Sequence, residues 1–432
     1  MLLSITGTTL KLYAQEDAAD KKIVVAGKQY TQEVNTLANK APVKKALQAI
    51  VDLQPQTLAD HILLTEIPAP PYKETIRAKK YAELLKAAGA DSVWTDNAGN
   101  VIAKVKGKKG NKTVVLEGHM DTVFPEGTNV KITHKGDTLY APGVSDDTRA
   151  LAVVLTVLKA VKKADIKTDA DMLFIGAVGE EGQGDLRGVK NLFSDKGPGK
   201  IDTYIAVDGT DINMIVHRGL GSHRYRITFK GPGGHSWGSF GLANPHYALA
   251  SAIHYWVLAA DQLSREKGVR VSYNVGVTGG GTSVNSIPFE SWMEVDMRSE
   301  SPERLAAVDK LLQDAVQKAL KEENQLKRFG SDLTVDVKLI GDRPSGVEDP
   351  TIPFVQRAIA TATFFHAAPI LGAESTNANI PISKGVPAVT IGCGGAAGGF
   401  HSLGEWWLDD GKAYIATQRA LLLLLAEAGV SK

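Results

Sequence analysis

Apolar and polar positions along this chain follow two different periods. "KETIRAKKYAELLKAAG" (73–89) carries Ile76, Tyr81, Leu84, Leu85 and Ala88 at helical spacing, and Gly89 supplies a C-cap. "NVIAKV" and "KTVVLEG" read as strands joined by a hairpin-type turn at "KGKKGN". "DTRALAVVLTVLKAVKKA" reads as a helix, and "DMLFIGAV" and "TYIAVD" read as buried strands. This alternation predicts an α/β fold with a mainly parallel central sheet flanked by helices. Ligands in such folds collect just beyond the strand ends.

From about residue 216 the pattern changes. "HRYRITFKG" alternates like a half-exposed strand, and a helix follows over 242–262. "VRVSYNVGV" and "ESWMEVDMRS" are strands, 301–323 is a charged helix, and "LTVDVKLIG" closes the unit. That βαββαβ order predicts an inserted ferredoxin-like domain. After "GDRPSGVEDP" the α/β pattern returns. The expected organisation is a leader at 1–22, one domain built from 23–215 and 346–432, and an inserted domain at 216–345. "ALLLLLAEAG" continues a helix that begins among polar residues near Lys412, so it is a core helix. No segment reaches the roughly 18 uninterrupted apolar residues that a membrane span requires.

Composition narrows the picture. A chain of 432 residues can bury more than one core. With 49 basic and 48 acidic side chains it carries no electrostatic footprint for nucleic acid or an anionic membrane. Its single cysteine, Cys393, cannot form an internal disulfide and is silent about compartment. The apolar stretch ending at Ala14-Gln15 resembles the end of a secretory signal, but a basic start is missing and Lys11 interrupts it. Export and a cytoplasmic location both stay open.

Candidate chemistry gathers at the strand ends. "LEGHMDTVFPEG" places His119 and Asp121 directly after an apolar run. "APGVSDDTRA" supplies Asp146 and Asp147, "IGAVGEEGQGD" supplies Glu180 and Glu181, "YIAVDGTD" supplies Asp208, and "GGFHSLGEW" supplies His401. Mixed imidazole and carboxylate donors suit Zn²⁺ and similar divalent ions. Two metals about 3.5–4 Å apart need a bridging carboxylate and two terminal ligands each. His119, Asp146, Glu181, Asp208 and His401 make up such a set, and Glu180 is left to activate water. Each residue also has a plainer explanation. His119 can be a satisfied buried histidine, either Asp of the pair can cap the following helix, and Asp208-Gly209 is a common turn. Glu180 and Glu181 can be solvated surface, and His401 can cap a turn. Taken together these explanations are poor, because every position falls at a strand end of one sheet.

"GHMDTV", "APGVSDD", "GEEG", "VDG" and "FHSLGEW" resemble the metal-site motifs of the dinuclear zinc peptidases of clan MH. That family includes peptidase T, carnosine-type dipeptidases, glutamate carboxypeptidase, succinyl-diaminopimelate desuccinylase and aminoacylases. The resemblance runs from about Ile67 to the C-terminus, and "IPAPPYKE" and "TDNAGNVIA" are similar to the peptidase T branch. It implies two Zn²⁺ per subunit, with Co²⁺ or Mn²⁺ able to use the same ligands. His119 and Asp208 would hold one ion, Glu181 and His401 the other, and Asp146 would bridge them. Asp121 would accept from the second ring nitrogen of His119. Glu180 would take a proton from the bridging water and pass it to the leaving amine.

The resemblance also implies that the inserted domain is a lid and dimerisation domain, giving a homodimer. His235 in "GPGGHSW" would stabilise the oxyanion, often in the neighbouring subunit. Asn285 in "GTSVNSIP" and Arg298 in "VDMRS" would bind substrate backbone or carboxylate. Two stretches depart from the family pattern: Thr148-Arg149-Ala150 after the Asp pair, and "GAESTNANIP" near the expected substrate loop.

The implied enzyme is a metal-dependent exopeptidase acting on short peptides. In the family the ligand at the Asp208 position tends to be Asp in aminopeptidases and dipeptidases, and Glu in carboxypeptidases and deacylases. Asp208 therefore favours an aminopeptidase or a di- or tripeptidase. The alternative is a carboxypeptidase or an N-acyl-amino-acid deacylase. A non-catalytic binding protein would be expected to lose Glu180 or a ligand, and a structural zinc site would favour a closed, Cys-rich set.

Overall fold

The computed structural model describes residues 22–431, so the apolar stretch ending at Ala14-Gln15 that resembles a secretory signal lies outside the described residues. Four helices come first: α1 (Lys28–Ala38), α2 (Ala41–Asp52), α3 (Gln54–Thr65) and α4 (Thr75–Ala87). Strands β1 (Ser92–Thr95), β2 (Val101–Val105) and β3 (Thr113–His119) follow, then the short β4 (Thr133–Lys135) and β5 (Thr138–Tyr140). Helix α5 (Thr148–Lys163), β6 (Asp171–Ala177), α6 (Arg187–Leu192), β7 (Thr203–Val207) and β8 (Met214–Gly219) complete the first part. The middle section holds β9 (Gly221–Lys230), β10 (Gly234–His235), α7 (Pro245–Arg265) and β11 (Val271–Gly280). It continues with β12 (Ser286–Ile287), β13 (Glu290–Ser299), α8 (Pro302–Leu326) and β14 (Thr334–Arg343). The return section is β15 (Gly346–Val347), α9 (Pro353–Phe364), β16 (Ile370–Glu374), α10 (Asn379–Ser383), β17 (Ala388–Ile391), β18 (Ala396–Gly398), β19 (Trp406–Leu408) and α11 (Tyr414–Ala428).

A nine-stranded sheet runs in the order β1-β2-β6-β3-β7-β17-β8-β15, with β16 also paired to β8. Its centre, β6-β3-β7-β17, is parallel; β1, β2, β8 and β15 join it through antiparallel pairings, and β16 pairs with β8 in parallel. Residue alternation explains how the sheet is covered on both faces. On β3 and β6, Val114, Leu116, Met172 and Phe174 join the larger core with α5 and α11. Val115, Leu173, Ile175 and Ala177 point the other way, into a core with Val189 and Leu192 of α6 and Ile380 and Ile382 of α10. The apolar run at the end of α11, Leu421 to Leu425, is wholly buried, as a core helix requires.

The expected hairpin between "NVIAKV" and "KTVVLEG" does not form. Strand β6 lies between β2 and β3, pairing antiparallel with the first and parallel with the second. The intervening turn is held by the β6 side instead: the Gly107 N–H donates to Asp171 Oδ1 at 2.8 Å, and the Lys108 N–H to the Thr168 carbonyl at 2.8 Å.

Residues 221–343 build a second sheet, β11-β13-β9-β14, which is antiparallel throughout. Helices α7 and α8 cover one face, around a separate core containing Trp256, Phe229, Met293 and Leu312. Both helices start with side-chain caps followed by proline. Asn244 accepts the His246 N–H at 2.9 Å, and Ser301 accepts the Arg304 N–H at 3.2 Å. A further four-stranded sheet, β18-β19-β5-β4, is antiparallel throughout.

Candidate metal centre

The parallel strands deliver the site. His119 is the last residue of β3, Glu180 and Glu181 follow β6, and Asp208 follows β7. Helix α5 packs so closely over the end of β3 that a Cβ on Gly118 would stand 3.1 Å from the Ala150 backbone. A glycine before His119 therefore lets the start of α5, with the Asp pair, approach the imidazole. His401 comes from the β18–β19 loop, where it adopts a left-handed backbone with φ of 60°. A non-glycine residue in that region is sparsely populated and marks a backbone held by its surroundings.

Four of the five expected ligands meet directly. His119 Nε2 lies 3.0 Å from Asp146 Oδ1. His401 Nε2 lies 3.1 Å from Asp146 Oδ2 and 3.1 Å from Glu181 Oε1. The two oxygens of Asp146 thus face two different imidazoles. Asp208 joins through His119: donor atoms of His119, Asp147 and Asp208 lie within 4.8 Å of one another, as do those of His119, Asp146 and Glu181.

The donor set fits divalent ions. His119 Nε2 and Asp146 Oδ1 are buried and face each other, yet neither has a hydrogen-bond partner. Buried polar atoms rarely stay orphaned, and here the orphans converge on a shared point. The protonation equilibria agree. Burial, with Asp146 next, pushes Asp208 well above the ordinary carboxylate range. Burial also pushes Asp147 well up. Hydrogen bonds to Asp146 and Glu181 raise His401 to about 10. For Asp146 burial acts upward but is outweighed by His119 and His401, which hold it below its usual range. The cluster demands positive charge, which protons or bound cations can supply.

Glu180 is buried beside this cluster. Burial, opposed by Arg343, brings its carboxyl up to about 7. Arg343 Nη1 lies 3.2 Å from Glu180 Oε1, and Nη2 donates to the Glu180 backbone carbonyl.

Asp121 orients the site differently from the expectation. The Nδ1 of His119 is 3.1 Å from the Asp121 main-chain carbonyl, and the carboxylate is farther away at 3.7 Å. The Asp121 carboxylate instead accepts the N–H groups of Glu180 at 3.0 Å and Glu181 at 2.8 Å. Asp147 is the residue at the start of α5, but its side chain does not cap the helix. It accepts the His119 N–H at 2.9 Å.

The three residues expected from the inserted unit make their hydrogen bonds within that unit rather than with this cluster. His235 and Asn285 come together on the β10–β12 ribbon, where the Ser236 N–H donates to the Asn285 carbonyl at 2.9 Å. His235 Nδ1 accepts from Trp237 N–H at 3.2 Å and Gly238 N–H at 3.3 Å. With Nδ1 accepting, Nε2 is the ring nitrogen left for a donor role. Arg298 is engaged locally: its Nε donates to Asp296 Oδ2 at 2.8 Å, and Asp296 also takes Arg224 at 2.8 Å.

Several residues beyond the expected set shape the site. Glu405, in the quoted "FHSLGEW", and Arg343, in "GDRPSG", carried a signal only as parts of those segments. Within "GAESTNANIP", Ser375 Oγ accepts from Arg343 at 3.1 Å and Asn377 donates to Glu117 at 2.8 Å. The departing Arg149 is a core residue, stacked 4.9 Å from the Trp407 ring.

The model of peptidase family M20/M25/M40 matches residues 115–426. Carboxypeptidase G2 of Pseudomonas sp. (strain RS-16) is 26% identical over 256 residues, covering 56% of this chain and 55% of that protein. The chain thus spans about half the length of this curated relative. Among solved structures, a tripeptidase of Staphylococcus aureus superposes with a TM-score of 0.69 at 22% identity, covering 86% of this chain and 98% of that one. A dinuclear metal-binding peptidase of Bacillus subtilis gives a TM-score of 0.63 at 16% identity, covering 87% and 98%. At these identities the structural likenesses establish the fold.

Proposed function

The chain belongs to peptidase family M20/M25/M40, and we propose that it is a metal-dependent exopeptidase of short peptides, acting as an aminopeptidase or di- or tripeptidase. The observation that carries this reading is the placement of a buried carboxyl, Glu180, beside a His–Asp–Glu cluster whose donor atoms converge. Zn²⁺ is the proposed metal. His119, Asp146 and Asp208 would hold one ion, and Asp146, Glu181 and His401 the other. When bound, the ions supply Lewis-acid polarisation of the scissile carbonyl and lower the pKa of water.

The chain's own groups take the remaining roles. Glu180, with a carboxyl near pH 7, accepts the proton of the attacking water and returns it to the leaving amine. Asp121 holds the Glu180–Glu181 backbone by two N–H bonds. His235, with Nε2 as its remaining ring donor, donates to the developing oxyanion, and Asn285 beside it binds the substrate backbone. The inserted unit acts as a lid and pairs with a second copy. Trp237 (87% exposed), Val284 and Tyr247 support this, leaving apolar surface uncovered around the His235 ribbon.

A second reading, carboxypeptidase or N-acyl-amino-acid deacylase, is favoured by the similarity to carboxypeptidase G2. Hydrolysis of Leu-Gly-Gly in free, N-acetylated and C-amidated forms separates the two. An aminopeptidase needs the free amine and tolerates the amide. Cleavage that survives acetylation but needs the free carboxylate overturns the first reading in favour of the second.

A further inference from the structure

Glu405 is wholly buried, four residues beyond His401, at the point where the β18–β19 loop meets the loop that carries Asp146. Its Oε1 accepts the Ser145 N–H at 2.8 Å, the Asp146 N–H at 3.0 Å and the Ser145 Oγ–H at 2.7 Å. Its Oε2 accepts the Gly143 N–H at 2.9 Å. The Glu405 main-chain carbonyl accepts the Ala141 N–H at 3.1 Å, extending the β5–β19 pairing into the same loop.

We propose that Glu405 is a positioning residue for metal binding, clasping the Asp146 loop to the His401 loop so that both oxygens of Asp146 face their imidazoles. The inference rests on the metal-site reading above. Glu405 donates nothing to the cluster itself and acts through the backbone of its neighbours.

The four donors discriminate among substitutes. An ionised carboxylate only accepts, so it satisfies all of them. Glutamine at this position keeps one acceptor oxygen but sets its own N–H₂ against the Gly143 N–H or the Ser145 donors. Alanine leaves all four without a partner. Because Asp146 and His401 meet at 3.1 Å, a small shift of either loop alters how the metal is held. Outer groups that orient ligands change metal affinity by about 10–100-fold when removed.

The test titrates the chelator-stripped full-length chain with Zn²⁺ by calorimetry, alongside Glu405→Gln, Glu405→Ala and Thr57→Ala. Thr57→Ala removes a buried hydroxyl pair with Thr156 (2.8 Å), away from the Glu405 clasp, and serves as a stability control. The expected result is Zn²⁺ binding about 10–100-fold weaker in folded Glu405→Gln, with Thr57→Ala unchanged in affinity. Should Glu405→Ala fail to fold, Glu405→Gln decides. Unchanged Zn²⁺ affinity in folded Glu405→Gln overturns the proposal. A wild-type chain that takes up no Zn²⁺ overturns the metal-site reading itself, which is a different result.

Discussion

Arg343, the last residue of β14, reaches from the inserted unit to Glu180, with Nη1 3.2 Å from Oε1 and Nη2 on the backbone carbonyl. The residue expected to move the proton is therefore gripped by the strand that ends the inserted unit. Arg343→Met leaves both oxygens of this grip without their donor, at a cost of about 1–3 kcal/mol. The melting temperature should fall, and kcat/KM with it. Arg298→Met, whose guanidinium is bound to Asp296 within its own strand, should affect the melting temperature less. Thermal melts and peptide kinetics on the two variants check this ordering.

Glu180→Gln should lower kcat by about 10²–10⁴-fold while leaving the number of bound metal ions unchanged. Its carboxyl is buried and brought up to about 7, so a neutral amide there avoids the cost of burying the charged form. The melting temperature at pH 8 should hold or rise. A variant that keeps wild-type kcat removes Glu180 from the proton-transfer role.

Much of the fold and of this cluster is legible in the sequence because strands and the polar side chains at their ends announce themselves locally. His119 ends an apolar strand, Asp208 directly follows one, and Glu180 and Glu181 come within four residues of the end of another, so residue type and position combine into one signal. What stayed hidden depends on distant partners. The "KGKKGN" turn has hairpin composition, but nothing local records that β6, more than fifty residues later in the chain, inserts between β2 and β3. Glu405 is equally silent, since its partners are backbone N–H groups 259 to 262 positions away. Asp121 was selected for the right loop but for a different contact. Its main-chain carbonyl sits nearer the imidazole, and its carboxylate is taken by the Glu180 and Glu181 amides.

Stability of the inserted unit should depend on pH through His223 and Asp309, whose Nδ1 and Oδ2 are 2.6 Å apart. The hydrogen bond to Asp309 raises His223 above its ordinary value. Burial of Asp309 acts upward but is outweighed by hydrogen bonds from His223, Gln313 and Tyr225, which hold it low. Asp342 also faces the ring, at 3.6 Å. A raised histidine stabilises fully below its unfolded pKa of about 6.5 and loses that contribution as pH rises through the folded value. A lowered aspartate contributes above about 3.9 and fades as pH falls through its folded value. His223→Asn should therefore lower the melting temperature more at pH 6 than at pH 9. Equal losses at both values would remove the ion pair from the account.

On the proposed reading, this protein hydrolyses short peptides with two metal ions held by His119, Asp146, Glu181, Asp208 and His401. The most direct measurement strips the chain with chelator and then follows Leu-Gly-Gly hydrolysis while Zn²⁺ is added in counted equivalents. The stripped chain should be inactive, and activity should rise with added Zn²⁺ and level off at two equivalents. Activity that persists in the stripped chain, or that never returns with added Zn²⁺, Co²⁺ or Mn²⁺, contradicts that reading.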